Sequence, residues 1–275
     1  MLRTTLHSII YLSITAIVLN SCSSDTTEEL TDTVPEVVAE EQQEGLVEQE
    51  VEEFDSIRGI YEGYIGLYEK HVVMDVTLVG DQVSGSYFYT KHQKPLSLEG
   101  TFDQASNAFK VIESYKGKET GYMEFTISKD GEIEGVWLIE DGAEEEEMVS
   151  LLKMNVAPEE YEPKFSRYEV THDLMIFNGE ENENFEATSE LVINKIDHNH
   201  FSFYMHVIGG NAHVGSIEGL GIYNPTNKNT GKFYDGDLCG LDFIFNDNDV
   251  EVIEDNCGYY HGAHAYFSDT FFKVK

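Results

Sequence analysis

From about residue 58 to the end of the chain, apolar and polar positions alternate in short runs, and a five-residue phrase recurs within them. The phrase reads apolar, polar, Gly, small, aromatic. Val83-Ser84-Gly85-Ser86-Tyr87, Leu98-Glu99-Gly100-Thr101-Phe102 and Ile133-Glu134-Gly135-Val136-Trp137 are clear copies; Tyr61-Glu62-Gly63-Tyr64-Ile65 and Ile217-Glu218-Gly219-Leu220-Gly221 are looser ones. Alternate residues of a strand share a face, so the apolar and aromatic ends of the phrase lie on one side of a sheet. The central Gly packs nothing and loses the most backbone entropy. Its recurrence marks sites where a strand bends sharply or another backbone comes close, as in coiled meanders and small barrels.

Two groups of strands follow from this pattern. Residues 58–155 carry about eight short alternating segments, among them 71–79, 82–89, 96–102, 109–115, 121–128 and 133–139. Turn signals separate them at Gly80-Asp81, 91–95, 104–107, 116–118, 129–131 and 141–147. Residues 158–163, bounded by Pro158 and Pro163, read as an extended linker. A second domain, 158–275, repeats the rhythm at 168–177, 185–193, 200–207, 213–223, 241–245, 250–253 and 265–274. Evenly spaced strands joined by short turns, with no long helical pattern between them, predict an all-β chain of two antiparallel meander or small β-barrel domains. The similar count and spacing make distant copies a natural expectation.

Composition narrows the setting. The formal net charge of −35 opposes nucleic acid, which is bound through Lys and Arg, and anionic lipid surfaces. Residues 23–57 hold 13 acidic residues and no basic one, and so few apolar groups that a disordered, self-repelling tether is expected. Ahead of it, Arg3 precedes an apolar run at 9–19, long enough for a secretion signal and too short to span a bilayer.

The end of that run, Leu19-Asn20-Ser21-Cys22, resembles a bacterial lipobox of the looser kind found in Bacteroidetes-type bacteria. The resemblance implies a signal peptide at 1–21, cleavage before Cys22 and lipidation of that cysteine; plain secretion is the alternative. Ser23-Ser24-Asp25 with Glu28 and Glu29 resembles the acidic tag of surface-exposed lipoproteins. An outer-membrane protein facing the cell surface is therefore expected, with a periplasm-facing one as the alternative. Within 58–155, the stretches 83–89, 94–96, 98–102 and 131–137 resemble a recurring domain of bacterial lipoproteins to which no chemistry is attached. The stretch from Cys239-Gly240-Leu241-Asp242-Phe243 to Cys257-Gly258-Tyr259-Tyr260-His261-Gly262-Ala263 is similar to the end of an exported β-domain type, again without an activity.

With Cys22 lipidated, Cys239 and Cys257 remain as an even pair in an oxidising compartment. They flank a predicted hairpin turning at Asp247-Asn248. A two-residue loop sets Cys239 opposite Asn256, and a three-residue loop sets it opposite Cys257. A cross-strand disulfide is expected from either, worth about 3 kcal/mol.

Candidate chemistry is sparse. Tyr87, Tyr89 and Trp137 are the candidates for the mouth of a ligand site, because they join apolar area to a polar handle, but simple core or strand-surface packing is the favoured reading of such aromatics. Seven of the ten histidines lie in 158–275. His213, His261 and His264 come nearest to a metal set, but no Cys-x-x-Cys or His-Glu-x-x-His accompanies them, so neither metal nor cofactor is expected. Asp247, Asp249 and Glu251 lack the Gly and closing Glu of a calcium loop and read as a solvated turn. No nucleophile elbow or phosphate loop is present. Non-catalytic binding of a small molecule or lipid by a calycin-like barrel is the leading expectation. A protein-binding module, such as an inhibitor of lysozyme or another enzyme, is the second. A hydrolase with an unmarked triad is the third.

Overall fold

The computed structural model describes residues 56–67, 70–139, 145–177 and 179–275. The expected signal peptide, Cys22 and the tether up to residue 55 lie outside the described residues. The chain is all-β and forms two closed antiparallel barrels of eight strands each. The first comprises β1 (Ser56–Ile65), β2 (Lys70–Val79), β3 (Gln82–Tyr89), β4 (Leu96–Asp103), β5 (Ala108–Tyr115), β6 (Lys118–Ile127), β7 (Glu132–Leu138) and β8 (Glu146–Lys153). Each strand pairs with the next, and β8 closes on β1 from Tyr61↔Lys153 to Ile65↔Val149. The second comprises β9 (Lys164–Phe177), β10 (Asn182–Lys195), β11 (His200–Ile208), β12 (Val214–Tyr223), β13 (Thr230–Asp235), β14 (Cys239–Phe245), β15 (Asp249–Asp255) and β16 (Asp269–Lys273), closed by β16 against β9.

Several expected boundaries shift. Ser56 and Ile57 start β1 and belong to the barrel, not the tether; Ile57 packs against the core. Glu146 and Glu147, expected in a turn, open β8, where Glu147 pairs with Lys70 at 2.6 Å. β13 was not expected. The segment after Pro158 is not simply extended: Pro158–Glu160 is a 3-10 turn. The last strand is only Asp269–Lys273, five residues.

Both bores are packed with side chains. Tyr61, Met74, Leu78, Tyr87 and Phe125 are all at most 2% exposed in the first, where Phe109 stacks on Phe125 at 5.0 Å between centroids. Phe201 is the hub of the second, with Tyr223, Phe243 and Phe245 at 4.8–5.3 Å. Charged residues such as Lys110 and Glu124 alternate with these on the outside. An apolar bore with charges outside is the reverse of a membrane-spanning barrel.

The recurring glycines sit where neighbouring strands crowd. A Cβ on Gly100 would lie 2.0 Å from the Lys110 carbonyl oxygen, and one on Gly85 2.1 Å from that of Asp75. Gly63 and Gly135 meet backbone oxygens at 2.2 Å in the same way. In the second barrel the echo is different: rings of Phe233 and Phe201 cover Gly219 and Gly221. The phrase thus encodes close backbone approach in a tight barrel.

The disulfide between Cys239 and Cys257 is present, with Cα atoms 4.2 Å apart. The β14–β15 hairpin uses the two-residue loop, pairing Phe245 with Val250 and Gly240 with Asp255. That register puts Asn256, not Cys257, opposite Cys239. Asn256 adopts a left-handed φ of 59°, turning the chain so that Cys257 reaches its partner. Asn tolerates this conformation better than most residues.

Gly100→Ala should destabilise the first barrel by about 3 kcal/mol, since a backbone oxygen cannot rotate away from an added methyl. Gly258→Ala, with nothing within 4 Å, should change stability by less than about 0.5 kcal/mol. Urea unfolding of the two variants checks the contrast.

Candidate functional site

The two barrels meet along outward-facing strand positions. In β1, Ile57, Tyr61 and Ile65 point into the bore, so the period of two turns Ile60, Glu62 and Tyr64 outward. Likewise β2 turns His71 and Val73 outward, and β3 turns out Phe88. Across from them, β12 turns out Ser216, Glu218 and Leu220, and β11 turns out Ser202 and Tyr204. Part of this contact is a dry core of Ile60, Val73, Phe88, Met154, Val156 and Ile196, flanked by Tyr161, Phe165 and Leu220. Phe88 meets Phe165 edge-on at 5.1 Å. Asn194 Nδ2 donates to the Thr90 carbonyl at 3.0 Å and joins the barrels through a polar bond.

Beside this core the faces part into a cleft of about 980 Å³. His71, 1% exposed, forms its floor. Its Nδ1 lies 2.6 Å from Thr90 Oγ1, its Nε2 lies 2.9 Å from Glu62 Oε2, and its backbone N–H donates to Glu218 Oε1 at 3.1 Å. A carboxylate only accepts, so Nε2 carries the proton toward Glu62. One wall is tyrosine: Tyr64, Tyr204, Tyr234, Tyr259 and Tyr260. The Lys91 ammonium sits 5.0 Å from the Tyr204 ring centroid.

The field in the cleft is negative. Burial, helped by Glu218, Glu62 and Asp235, pushes the Tyr64 hydroxyl up to about 12. Burial also raises the Glu218 carboxyl above the ordinary range, against the His71 amide and the charges of His71 and Lys91, which lower it. The Tyr260 hydroxyl donates to Asp235 and is raised by burial and by that carboxylate.

Threonine hydroxyl, imidazole and carboxylate stand in line at Thr90, His71 and Glu62, the three group types of a hydrolytic triad. Thr90 is fully buried and lies behind His71, away from the cleft. It orients the ring and is closed to a substrate.

No family model, curated protein or solved structure matches this chain. The reading of the site therefore rests on its own geometry.

Tyr87, Tyr89 and Trp137 do come together, around a residue the sequence pattern had not singled out. Glu113, 3% exposed, accepts from the Tyr87 hydroxyl, from the Thr120 hydroxyl and from Trp137 Nε1 at 2.9 Å. The Tyr89 hydroxyl is 3.2 Å from that of Tyr87. A β-bulge between Glu113 and Ser114 accompanies this carboxylate. Its signal was the register Phe109, Val111, Glu113, which carries an acid into a bore position. Tyr87 and Trp137 are thus held by hydrogen bonds to a carboxylate within the barrel. Tyr89 also faces a recess of about 380 Å³ shared with Lys70, His71 and His92.

The histidine trio divides. His213 and His264 meet edge to face at 5.1 Å between ring centroids. His261 turns to Glu254, 3.3 Å away, and to the Gly262 carbonyl. Among the described residues the donors that converge as a metal set would are Glu160, Asp197 and His198. The Asp197 carboxylate is already engaged by the amides of Asn199 and His200 and by the His200 ring. Asp249 accepts from Asn246 across the β14–β15 turn.

Trp137 is the only tryptophan of the chain, so its emission reports the Glu113 network. Glu113→Ala strands the Tyr87 and Trp137 donors in the barrel. It should shift that emission and lower stability by about 3 kcal/mol. Unchanged emission with unchanged stability would contradict the network.

Proposed function

We propose that the protein is a non-catalytic binding module of a bacterial envelope, lipid-anchored at Cys22, that seats a small ligand between its barrels. One observation carries this: side chains pack both bores, and the open space with converging polar groups is larger in the inter-barrel cleft, about 980 Å³, than at the mouth of the second barrel beside Tyr168, Tyr223 and Phe245, about 370 Å³. The cleft volume falls at the upper end of small-molecule sites. A calycin-like seat would need an open apolar cavity inside a barrel, and the packed bores speak for a binding surface outside them.

A protein partner is the second reading, favoured by two rim tyrosines, Tyr234 at 64% and Tyr259 at 77% exposure. Exposed aromatics are typical anchors of protein interfaces. A basic enzyme such as lysozyme would suit the chain's negative charge.

Native mass spectrometry of the full chain against a metabolite library tests the seat. Ligands found this way should lose at least about tenfold in affinity in Tyr204→Ala, the loss of one anchoring ring, and be indifferent to Tyr223→Ala at the mouth of the second barrel. Dependence on Tyr223 and not on Tyr204 would move the site to that mouth. The anchor has its own test: Cys22→Ala should shift the protein from the membrane fraction to the soluble one, and unchanged fractionation contradicts lipidation.

A further inference from the structure

The wall of the cleft indicates what chemistry would fill it. Three carboxylates face it, Glu62, Glu218 and Asp235. Glu62 is held by the His71 ring and Asp235 by the Tyr260 hydroxyl. Among the described residues Glu218 takes one hydrogen bond, from the His71 amide, although a carboxylate offers about four acceptor sites. Burial of a carboxylate is costly unless a cation or further donors face it. The field of all three acids reaches Tyr64.

The tyrosines add the second half of the chemistry. Aromatic faces attract ammonium groups through their quadrupole, more strongly where water is excluded. Two of these rings already hold one from the chain itself. Lys91 Nζ lies 5.0 Å from the centroid of Tyr204, and Lys232 Nζ lies 5.9 Å from that of Tyr234 while its charge is held by Asp242. Lys232 is anchored by that pair. Lys91 is exposed on the loop after β3 and holds its ammonium over the Tyr204 ring. Anionic ligands meet three acids here and the −35 charge of the chain. A neutral sugar would also stack on tyrosine, but would bring no positive charge to Glu218 beyond that of Lys91.

Resting on the cleft as the ligand seat, we propose that it binds a small organic polyammonium ligand, a linear polyamine or a compound of that class, with its charges between Glu218, Glu62 and Asp235 and its chain against Tyr204 and Tyr234. Lys91 competes with the ligand for Tyr204 and Glu218 and must swing out when it binds.

Isothermal titration of the full chain at about 0.15 M salt, where surface attraction is screened beyond about 8 Å, tests this with spermidine as probe and chitotriose as a neutral one. Spermidine should bind at one site and chitotriose should not. Glu218→Gln should weaken spermidine about tenfold or more, the loss expected for a hydrogen bond between charged groups. Glu134→Gln, on the exposed face of β7, should leave it unchanged. Lys91→Met should tighten binding several-fold, an increase that misfolding does not produce. Spermidine binding that is absent, or equal in Glu218→Gln and Glu134→Gln, overturns the ammonium assignment. If chitotriose binds instead and Tyr204→Ala abolishes it, the cleft stands and only its ligand class falls. If Tyr204→Ala affects neither probe and ligands from the library map elsewhere, the cleft itself is the wrong seat and the proposal falls with it.

Discussion

Ile60, Val73 and Phe88 point away from the bore of their own barrel and are nonetheless buried, because the outer face of the second barrel covers them. Ile196 and Leu220 complete that contact from the other side. Two closed barrels have no sheet edges to pair, so they join through their outer faces, with Met154 and Val156 of the connecting segment packed into the contact. The dry core supplies apolar burial, and the bond from Asn194 to the Thr90 carbonyl supplies direction. Together β1–β3 and β10–β12 form one body from two independently closed sheets.

The rest of the site depends on that docking. His71 is an outward residue of β2, and it is buried between Glu62, Tyr64 and Thr90 of its own barrel and Glu218 of the second. Once buried, its two ring nitrogens need partners, and Thr90 and Glu62 provide them from the same barrel. Its amide, at the strand's start, goes to Glu218 of the other barrel. The cleft is therefore a consequence of where docking stops. Beyond the apolar core the outward positions turn polar and aromatic, the faces separate, and acids and tyrosines from both barrels border one space. A packed bore and a built cleft are complementary: the interior of each small barrel holds its own core, and the larger open space lies between the outer surfaces.

How much of this is legible in the sequence depends on the range of the interaction that decides it. The glycine phrase is read directly, because strand alternation and close approach to the neighbouring strand are local in a meander. Gly85, Gly100 and Gly135 face carbonyl oxygens as the pattern implies. β13 is missed because Thr230-Gly231-Lys232-Phe233-Tyr234-Asp235 is short and flanked by Asn, Asp and Gly, which read as turn. The cysteine register was open between two loop lengths, and it resolved through the left-handed Asn256, a backbone choice that alternation does not encode. Tyr87, Tyr89 and Trp137 meet around Glu113, an acid in the bore register that strand alternation alone does not connect to them. The docking face had a readable trace: His71-Val72-Val73-Met74 in β2 and Phe201 to Met205 in β11 run apolar or buried on both faces, as strands covered on two sides do. Which outer faces meet is a long-range matter, and so Glu62, His71, Tyr204 and Glu218 could not be assembled from alternation alone.

The docking of the barrels is the claim on which the cleft stands, and Ile196→Ala tests it directly. Ile196 belongs to the second barrel and is fully buried in the inter-barrel core, while Trp137 belongs to the first. Urea unfolding of the full chain, followed by Trp137 emission, reads the first barrel alone. Removing the Ile196 side chain should cost about 2–5 kcal/mol and move the Trp137 midpoint to lower urea, because the barrels lose their shared core. A Trp137 midpoint equal to that of the unaltered protein would contradict a shared core that stabilises the first barrel.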